Sequence, residues 1–339
     1  MRRVTLLITF LPLLAAAGPL SGAPVWSAEG GQVGAELGRH GAPAGDVDGD
    51  GWADVIVAAP GYSGAFSKEG RVFLHRGTES GLEAVAGWAA AGNQASMGLG
   101  DSVAAAGDVN GDGYDDVVIG AHAWDNPENG EGGAWLFLGG PSGLANSPAW
   151  AAEGNQANAN YGAAVAGAGD VNGDGYDDVI VGAWGYDEPE SYEGKAWLYL
   201  GGPGGLSATP AWSKTSDQAN AFFGVTVAAA GDVNGDGFAD VAIGASRYGA
   251  AVNDEGVVFV FAGEAGGLSS APLSMVAGGQ SDAAFGLALA AGGDVDGDGY
   301  DDVLAGSREW GGAFLEEGRA VLYRGSPAGL IAAPAWSDA

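Results

Sequence analysis

The chain has 339 residues, including 65 glycines and no cysteine, and its 43 acidic and 12 basic side chains give a formal net charge of −31. This charge makes nucleic acid and anionic membranes poor partners, because both attract basic surfaces, and it favours a cation instead. Without cysteine, the chain has no disulfide, no catalytic thiol and no lipid anchor on cysteine. The high glycine content and the lack of a long helical pattern predict an all-β protein.

The N-terminus carries Arg2 and Arg3, then an apolar run, then small residues. This order is typical of a secretory signal peptide, which we place at residues 1–23, with cleavage between Ala17 and Ala23. An uncleaved anchor is the alternative, but the apolar run is shorter than a membrane span. We therefore expect residues 24–339 to form the mature protein, secreted or at the cell surface and not inserted in the membrane.

One unit of 62 residues is repeated five times without insertion or deletion. Each copy contains an acidic loop that begins with an aspartate, and these are Asp46, Asp108, Asp170, Asp232 and Asp294. A tryptophan recurs in the same register at Trp26, Trp88, Trp150, Trp212 and Trp336, with Ser274 in the remaining place. A fixed period of this size is typical of a solenoid or a propeller.

Four strands are predicted in each unit. In the third copy they cover residues 161–170, 177–183, 195–202 and 208–212, separated by turns rich in glycine and aspartate. Four antiparallel strands repeated radially form a propeller blade. The small residues of the first strand suit the crowded centre, and the tryptophan of the fourth suits the rim. A β-solenoid is the alternative, although its coils are usually shorter than 62 residues.

The composition of the acidic loops predicts cation-binding sites. Oxygen atoms at loop positions 1, 3, 5 and 9, with a backbone carbonyl at position 7, suit a hard cation that takes six to eight oxygen ligands. Glycine at position 6 allows the chain to turn sharply. The candidate ligands are Asp46, Asp48, Asp50, Trp52 and Asp54; Asp108, Asn110, Asp112, Tyr114 and Asp116; Asp170, Asn172, Asp174, Tyr176 and Asp178; Asp232, Asn234, Asp236, Phe238 and Asp240; and Asp294, Asp296, Asp298, Tyr300 and Asp302.

Calcium is the expected cofactor, at about five sites. An EF-hand begins in the same way but requires glutamate at position 12 and flanking helices, whereas position 12 of the first loop is Val57 and lies in a strand. Magnesium is disfavoured because it tends to retain several waters. The remaining alternative is five solvated turns without metal, in which many carboxylates would crowd together unneutralised.

The repeats resemble the FG-GAP family, whose members form the blades of the integrin α-subunit propeller. The similarity covers about residues 26–336. The FG part of the motif matches Phe223-Gly224 and Phe285-Gly286, and the GAP part matches loosely, as at Ala58-Ala59-Pro60. It implies a β-propeller of five four-stranded blades, calcium in the acidic loops, and a binding or adhesion role toward a protein or carbohydrate partner. Family propellers of this type have seven blades, so both a closed five-bladed ring and part of a larger ring fit.

A second set of residues recurs in the loop between the second and third strands. The aromatic members are Tyr62, Trp124, Tyr186, Tyr248 and Trp310, and the same loops end at Glu69, Glu131, Glu193, Glu255 and Glu317. The resemblance implies that this face carries the ligand-binding loops. The alternative is that the aromatic rings pack between blades while the glutamates bind backbone N–H groups.

No catalytic constellation stands out. His40, His75 and His122 occupy different places in their repeats, and neither a nucleophile elbow nor a phosphate-binding loop is present. We therefore expect a binding module and not an enzyme. An extracellular propeller hydrolase or lyase that uses surface carboxylates is the first alternative, and a scaffold for further domains is the second.

Overall fold

The computed structural model describes residues 26–338, so the predicted signal peptide lies outside the described residues. The described residues contain strands and turns but no helix, and therefore no helix long and apolar enough to cross a membrane. Twenty of the strands form five four-stranded antiparallel sheets, and the other two form a short hairpin. The prediction of an all-β propeller built from four-stranded blades is confirmed.

Each sheet is one blade, and its strands lie side by side in chain order. Blade 1 contains β1 (His40–Gly45), β2 (Asp54–Ala59), β3 (Arg71–His75) and β4 (Trp88–Ala91). Blade 2 contains β5 (Ser102–Gly107), β6 (Asp116–Ala121), β7 (Gly133–Phe137) and β8 (Trp150–Glu153). Blade 3 contains β9 (Ala164–Gly169), β10 (Asp178–Ala183), β11 (Lys195–Tyr199) and β12 (Trp212–Thr215).

The last two blades follow the same plan. Blade 4 contains β13 (Phe223–Gly231), β14 (Asp240–Ala245), β15 (Val257–Phe261) and β18 (Ser274–Ala277), with the hairpin β16 (Gly263–Glu264) and β17 (Gly267–Leu268) before the fourth strand. Blade 5 contains β19 (Phe285–Gly293), β20 (Asp302–Ser307), β21 (Arg319–Tyr323) and β22 (Trp336–Asp338).

The predicted strands of the third copy are all present, but the fourth lies further along the chain than expected. The prediction covered residues 208–212, whereas β12 begins at Trp212 and pairs with β11. Pro210 has no N–H for a strand ladder, so it lies in the connection before the strand. The second strands match the prediction best, since β6, β10 and β14 are buried at every residue, as expected for strands covered on both faces.

The first strands line the centre of the molecule, where each one contacts the first strand of the next blade: β1, β5, β9, β13 and β19 in order. Apolar clusters fill the spaces between successive blades. In the first of these, Ile56 and Leu74 of blade 1 pack with Ile119 and Phe137 of blade 2. The core of the protein therefore lies between blades, and each blade depends on its neighbours.

The described residues form an open arc. Successive first strands contact one another, but β19 of blade 5 does not make such a contact with β1 of blade 1. The outer face of blade 5 is correspondingly uncovered. Val295 is 59% exposed, whereas the valines at its position in blades 1 to 4 are fully buried. Leu304 is 37% exposed, whereas Ile180 in the same register is 0% exposed. A closed five-bladed ring is thus not what the structure shows.

Two substitutions at one register position test the open arc. Ile180→Ala should lower the free energy of unfolding by about 2–4 kcal/mol, because it leaves a cavity between blades 3 and 4. Leu304→Ala should lower it by less than about 1 kcal/mol, because that side chain already contacts solvent. Urea unfolding at fixed calcium concentration measures both. Equal losses would mean that the face of blade 5 is covered in solution.

Candidate metal centres and the opposite face

The acidic loops follow directly from the first strands. A β-bulge ends the first strand at a glycine with positive φ, such as Gly107 at 75°, and redirects the chain into the loop. Gly113, at position 6, has a φ of 87°, as the sequence predicts. The side chain of Asp108, at position 1, then accepts hydrogen bonds from the N–H groups of Gly111 at 2.8 Å, Asp112 at 3.1 Å and Gly113 at 2.8 Å.

The aspartate at position 9 is buried in every blade. In blade 2, Oδ2 of Asp116 accepts a hydrogen bond from the N–H of Val109 at 3.0 Å, and Oδ1 accepts one from Gly139 at 2.8 Å. The same pair of bonds recurs at Asp54, Asp178, Asp240 and Asp302. This carboxylate ties the acidic loop to the connection between the third and fourth strands. Its predicted role as a metal ligand stays a prediction.

The first and last loops carry the densest carboxylate groups. The side-chain oxygens of Asp46, Asp48 and Asp50 lie within 4.8 Å of one another, and so do those of Asp294, Asp296 and Asp298. Oδ1 of Asp48 is buried and accepts no hydrogen bond within the described residues. A hard cation would satisfy such an oxygen and neutralise its neighbours. The residues present therefore fit calcium.

Position 3 is aspartate in the first and last loops and asparagine in the three middle loops, and the structure shows which residue accompanies this difference. Nη1 of Arg76 lies 3.2 Å from Oδ2 of Asp48, and Nη1 of Arg324 lies 2.8 Å from Oδ2 of Asp296. The three middle blades have asparagine at position 3 and Leu138, Leu200 or Ala262 in place of the arginine. The paired change, 28 residues apart in the sequence, is a signal that could have been found without the structure.

Burial raises the pKa of four of the position-9 aspartates, Asp54 among them. Desolvation raises the pKa of Asp116, Asp178 and Asp240 to about 7 from a usual value of 3.8, and the neighbouring loop carboxylates add to the shift. The bonds from backbone N–H groups act in the opposite direction but do not cancel it. Without a cation, these sites favour a bound proton.

Successive acidic loops also bind each other. Oδ2 of Asp115, at position 8, accepts a hydrogen bond from the N–H of Asp46 in the preceding blade at 2.7 Å. The ring of Tyr114 covers Gly49 of that same loop so closely that a Cβ there would lie 2.7 Å from the ring. This arrangement recurs between later blades, except that Ala239 replaces the position-8 carboxylate in blade 4. The sequence did not assign these position-8 residues a role.

The opposite face is built from the loops between second and third strands and those between blades. Its recurring aromatic residues are half-buried and pack on an aromatic residue of the third strand in blades 1 to 4, as the rings of Tyr186 and Trp197 do at 5.2 Å and 85°. A glutamine from the loop before each blade holds this loop in place. In blade 3, Gln156 donates to the carbonyl of Asp187 at 2.9 Å and accepts from its N–H at 2.7 Å.

The glutamates at the ends of these loops differ between blades. Glu255 accepts hydrogen bonds from four backbone N–H groups, and Glu69 and Glu317 accept from two each. Glu131 and Glu193, in blades 2 and 3, are fully buried, and their carboxylate oxygens have no hydrogen-bond partner among residues 26–338. Desolvation raises the pKa of both. The expectation that each glutamate binds backbone N–H groups thus holds in three blades.

A cleft of about 500 Å³ opens between blades 2 and 3. Its lining includes two of the aromatic residues predicted from the sequence, Trp124 and Tyr186, together with Trp135, Trp197 and Glu153. The structure does not bring the five predicted aromatic residues into one site. It places Tyr62, Tyr248 and Trp310 in other blades. Tyr62 and Tyr248 pack on an aromatic residue of the third strand of their own blade, and Trp310 contacts an arginine.

Two protein-family models match the repeated units of this chain. A model of the FG-GAP-like repeat covers residues 46–119, and a model of the FG-GAP repeat covers residues 161–199, 223–261 and 285–320. The chain is similar to integrin alpha-5 of Xenopus laevis, with 34% identity over 163 residues, which is 45% of this chain and 15% of the relative. It is also similar to integrin alpha-3 of Cricetulus griseus, with 32% identity over 199 residues, which is 57% of this chain and 18% of the relative.

These matched segments make up less than a fifth of either relative. Among solved structures, the exotype rhamnogalacturonan lyase YesX matches with a TM-score of 0.44 and 14% identity, over 85% of this chain and 47% of the lyase. A similarity at that level carries no functional argument.

The pKa shifts predict how stability depends on pH in the metal-free protein. Because the folded pKa values of Asp116, Asp178 and Asp240 lie above those of the unfolded chain, folding binds protons at these sites. Their stabilising contribution is complete below about pH 4 and is lost as the pH rises through about 7. In chelator, the melting temperature should therefore fall between pH 5.5 and pH 8.

Asp116→Asn should make this fall shallower, whereas the exposed-residue control Glu264→Gln should leave it unchanged. A metal-free protein that melts at a higher temperature at pH 8 than at pH 5.5 would contradict the assignment.

Proposed function

Because the chain belongs to the FG-GAP repeat family, we propose that it is a calcium-loaded β-propeller module that binds a protein or carbohydrate partner outside the cell. The supporting observation is the division of labour between its two faces. The acidic loops on one face are near-copies of one another, whereas the loops on the opposite face differ from blade to blade. Variable loops on a rigid scaffold are where binding sites are usually found.

Calcium supplies positive charge to the acidic face. We assign each ion to the oxygen atoms at positions 1, 3, 5, 7 and 9 of one loop. Asp108, at position 1, already shapes the loop by accepting three backbone N–H bonds, and Asp116, at position 9, anchors it to the blade. The paired arginines Arg76 and Arg324 reduce the negative charge in the two loops that have a third aspartate.

The metal contribution is large enough to matter in a chain without disulfides. Extracellular calcium modules bind with dissociation constants of about 10⁻⁴ to 10⁻³ M. At millimolar calcium, each site then stabilises the fold by about 0.4 to 1.4 kcal/mol, and five independent sites by about 2 to 7 kcal/mol. This range is comparable to the stability of a whole domain.

The opposite face supports binding. The relatives, about a third identical to this chain over the aligned segments, are integrin alpha chains, which suggests an adhesion-type module. The cleft between blades 2 and 3 is concave and is lined by aromatic side chains together with the polar side chains of Glu153 and Asn155. Trp124 and Tyr186 are held there by T-shaped packing on Trp135 and Trp197, so the site is formed before any ligand arrives.

Calcium removal should destabilise the protein at neutral pH. The melting temperature in chelator should lie well below that in millimolar calcium, because the loop carboxylates then repel one another. Asp112→Ala and Asp174→Ala should each weaken one site, and their effects should add, since the sites lie in different blades. Melting curves together with calorimetric calcium titration measure this. An unchanged midpoint without binding heat would rule out the calcium assignment.

Ligand binding is tested with two defined collections, an array of neutral and acidic oligosaccharides and a displayed random-peptide library, both at millimolar calcium. A sequence or sugar enriched by the wild-type protein should lose its binding when Trp124, Tyr186 and Tyr248 are replaced by alanine. Val85→Ala, an exposed change in blade 1, should leave it intact. If the triple variant has a lower melting temperature but still binds the ligand, the aromatic residues contribute to packing only, and our assignment of the binding face is wrong.

A further inference from the structure

The cleft between blades 2 and 3 carries an aromatic wall with an unusual electrostatic setting. Trp124 and Trp135 of blade 2 form a T-shaped pair with ring centroids 5.3 Å apart, and both are half-buried on the cleft. Tyr186 and Trp197 of blade 3 form the facing wall. The carboxyl group of Glu153 completes the lining next to the two tryptophans.

Other blades place a cation on the corresponding aromatic residues. In blades 1, 3 and 5, the first residue of the third strand is basic, and its charged group lies over the aromatic residue of the preceding loop. The three pairs are Arg71 over Tyr62 at 5.2 Å, Lys195 over Tyr186 at 4.9 Å, and Arg319 over Trp310 at 4.5 Å from the ring centroid. The aromatic pair of the blade is thus a cation-binding element within this chain itself.

Blade 2 has the aromatic pair without the cation. Its third strand begins with Gly133, and the ring of Trp135 lies so close above this glycine that a Cβ would meet it at 2.6 Å. The strand therefore cannot supply a charged group to Trp124 and Trp135. Both indoles line the cleft, from which a cation can reach them.

The surrounding charges favour a cation. Glu153, on the cleft wall, accepts a hydrogen bond from Nδ2 of Asn126 at 2.8 Å. The basic group on the facing wall, Lys195, is already paired with Glu188.

We propose that this cleft binds an organic cation of the quaternary ammonium type. The inference rests on the proposed binding function and names the ligand chemistry of that face. A trimethylammonium group is large and weakly hydrated, so it loses little solvation when it contacts indole rings, whereas a lysine ammonium is strongly hydrated. A neutral sugar would leave the carboxylate of Glu153, on the cleft wall, without a counter-charge.

The test compares choline with its neutral isostere 3,3-dimethylbutan-1-ol, at millimolar calcium and low salt. Saturation-transfer NMR on the ligand methyl signals gives both dissociation constants. Choline should bind about tenfold more tightly than the alcohol, since only it gains the attraction of the indole faces and the carboxylates. Equal binding of the two compounds, or no binding of choline, would overturn the proposal.

Two pairs of variants locate the site. Trp135→Leu should weaken choline binding about tenfold, whereas Phe259→Leu, in the same register of blade 4, should not change it. Glu153→Gln removes a charge without changing shape and should also weaken choline binding, whereas Glu264→Gln should not. Because Glu153 is at the surface, this variant tests the site even if Trp135→Leu fails to fold. Wild-type affinity in Glu153→Gln and in a folded Trp135→Leu would overturn the proposal.

The outcome is separate from that of the proposed function. Choline binding without any enriched peptide or oligosaccharide would support the cation site and contradict the broader binding role. An enriched ligand whose binding is unaffected by choline and by Glu153→Gln would support the broader binding role and contradict the cation site.

Discussion

A buried carboxylate in every blade is the constraint on which the rest of the structure depends. The position-9 aspartate, Asp116 in blade 2, begins the second strand and accepts two backbone hydrogen bonds, one from the acidic loop and one from the connection that follows the third strand. It therefore fixes three parts of the blade relative to one another. A buried negative charge is costly unless it is compensated, and here the backbone N–H groups compensate only in part, since the pKa stays near 7. A bound proton, or the cation proposed for the acidic loop, would provide the rest.

Contacts between blades repeat with the same regularity. Each acidic loop packs its position-7 ring on a glycine of the preceding loop, and on the opposite face each glutamine holds the next variable loop by its backbone. Because both contacts join successive blades, the packing of the apolar clusters between blades also positions the loops on the two faces. The residues that lack these contacts mark the two ends of the arc. Trp52 in blade 1 and Val295 in blade 5 are exposed because no blade among the described residues covers them.

The opposite face departs from this regularity where binding is proposed. In blades 1, 4 and 5 the loop backbone donates hydrogen bonds to its own glutamate, which neutralises the cost of burying that charge. In blades 2 and 3 it does not, and the aromatic cleft lies between those two blades. Local departures from an otherwise consistent pattern are common at functional sites, where stability is given up for recognition. Of the five recurring aromatic residues, two share this cleft, Trp124 and Tyr186.

The sequence alone was sufficient for the features that depend on neighbouring residues: the 62-residue period, the four strands of each blade, the turn glycines and the composition of the acidic loops. It misplaced the fourth strand, because a short edge strand has a weak local pattern and begins only where it can pair with β11. Tertiary structure alone decided which atoms share a site. The partners of Asp116, the contact of Asp115 with the preceding loop, the orphan carboxylates of Glu131 and Glu193, and the open arc all depend on residues that are distant in the chain. A repeat in the sequence makes every blade look equivalent, and they become different only when they pack against different neighbours.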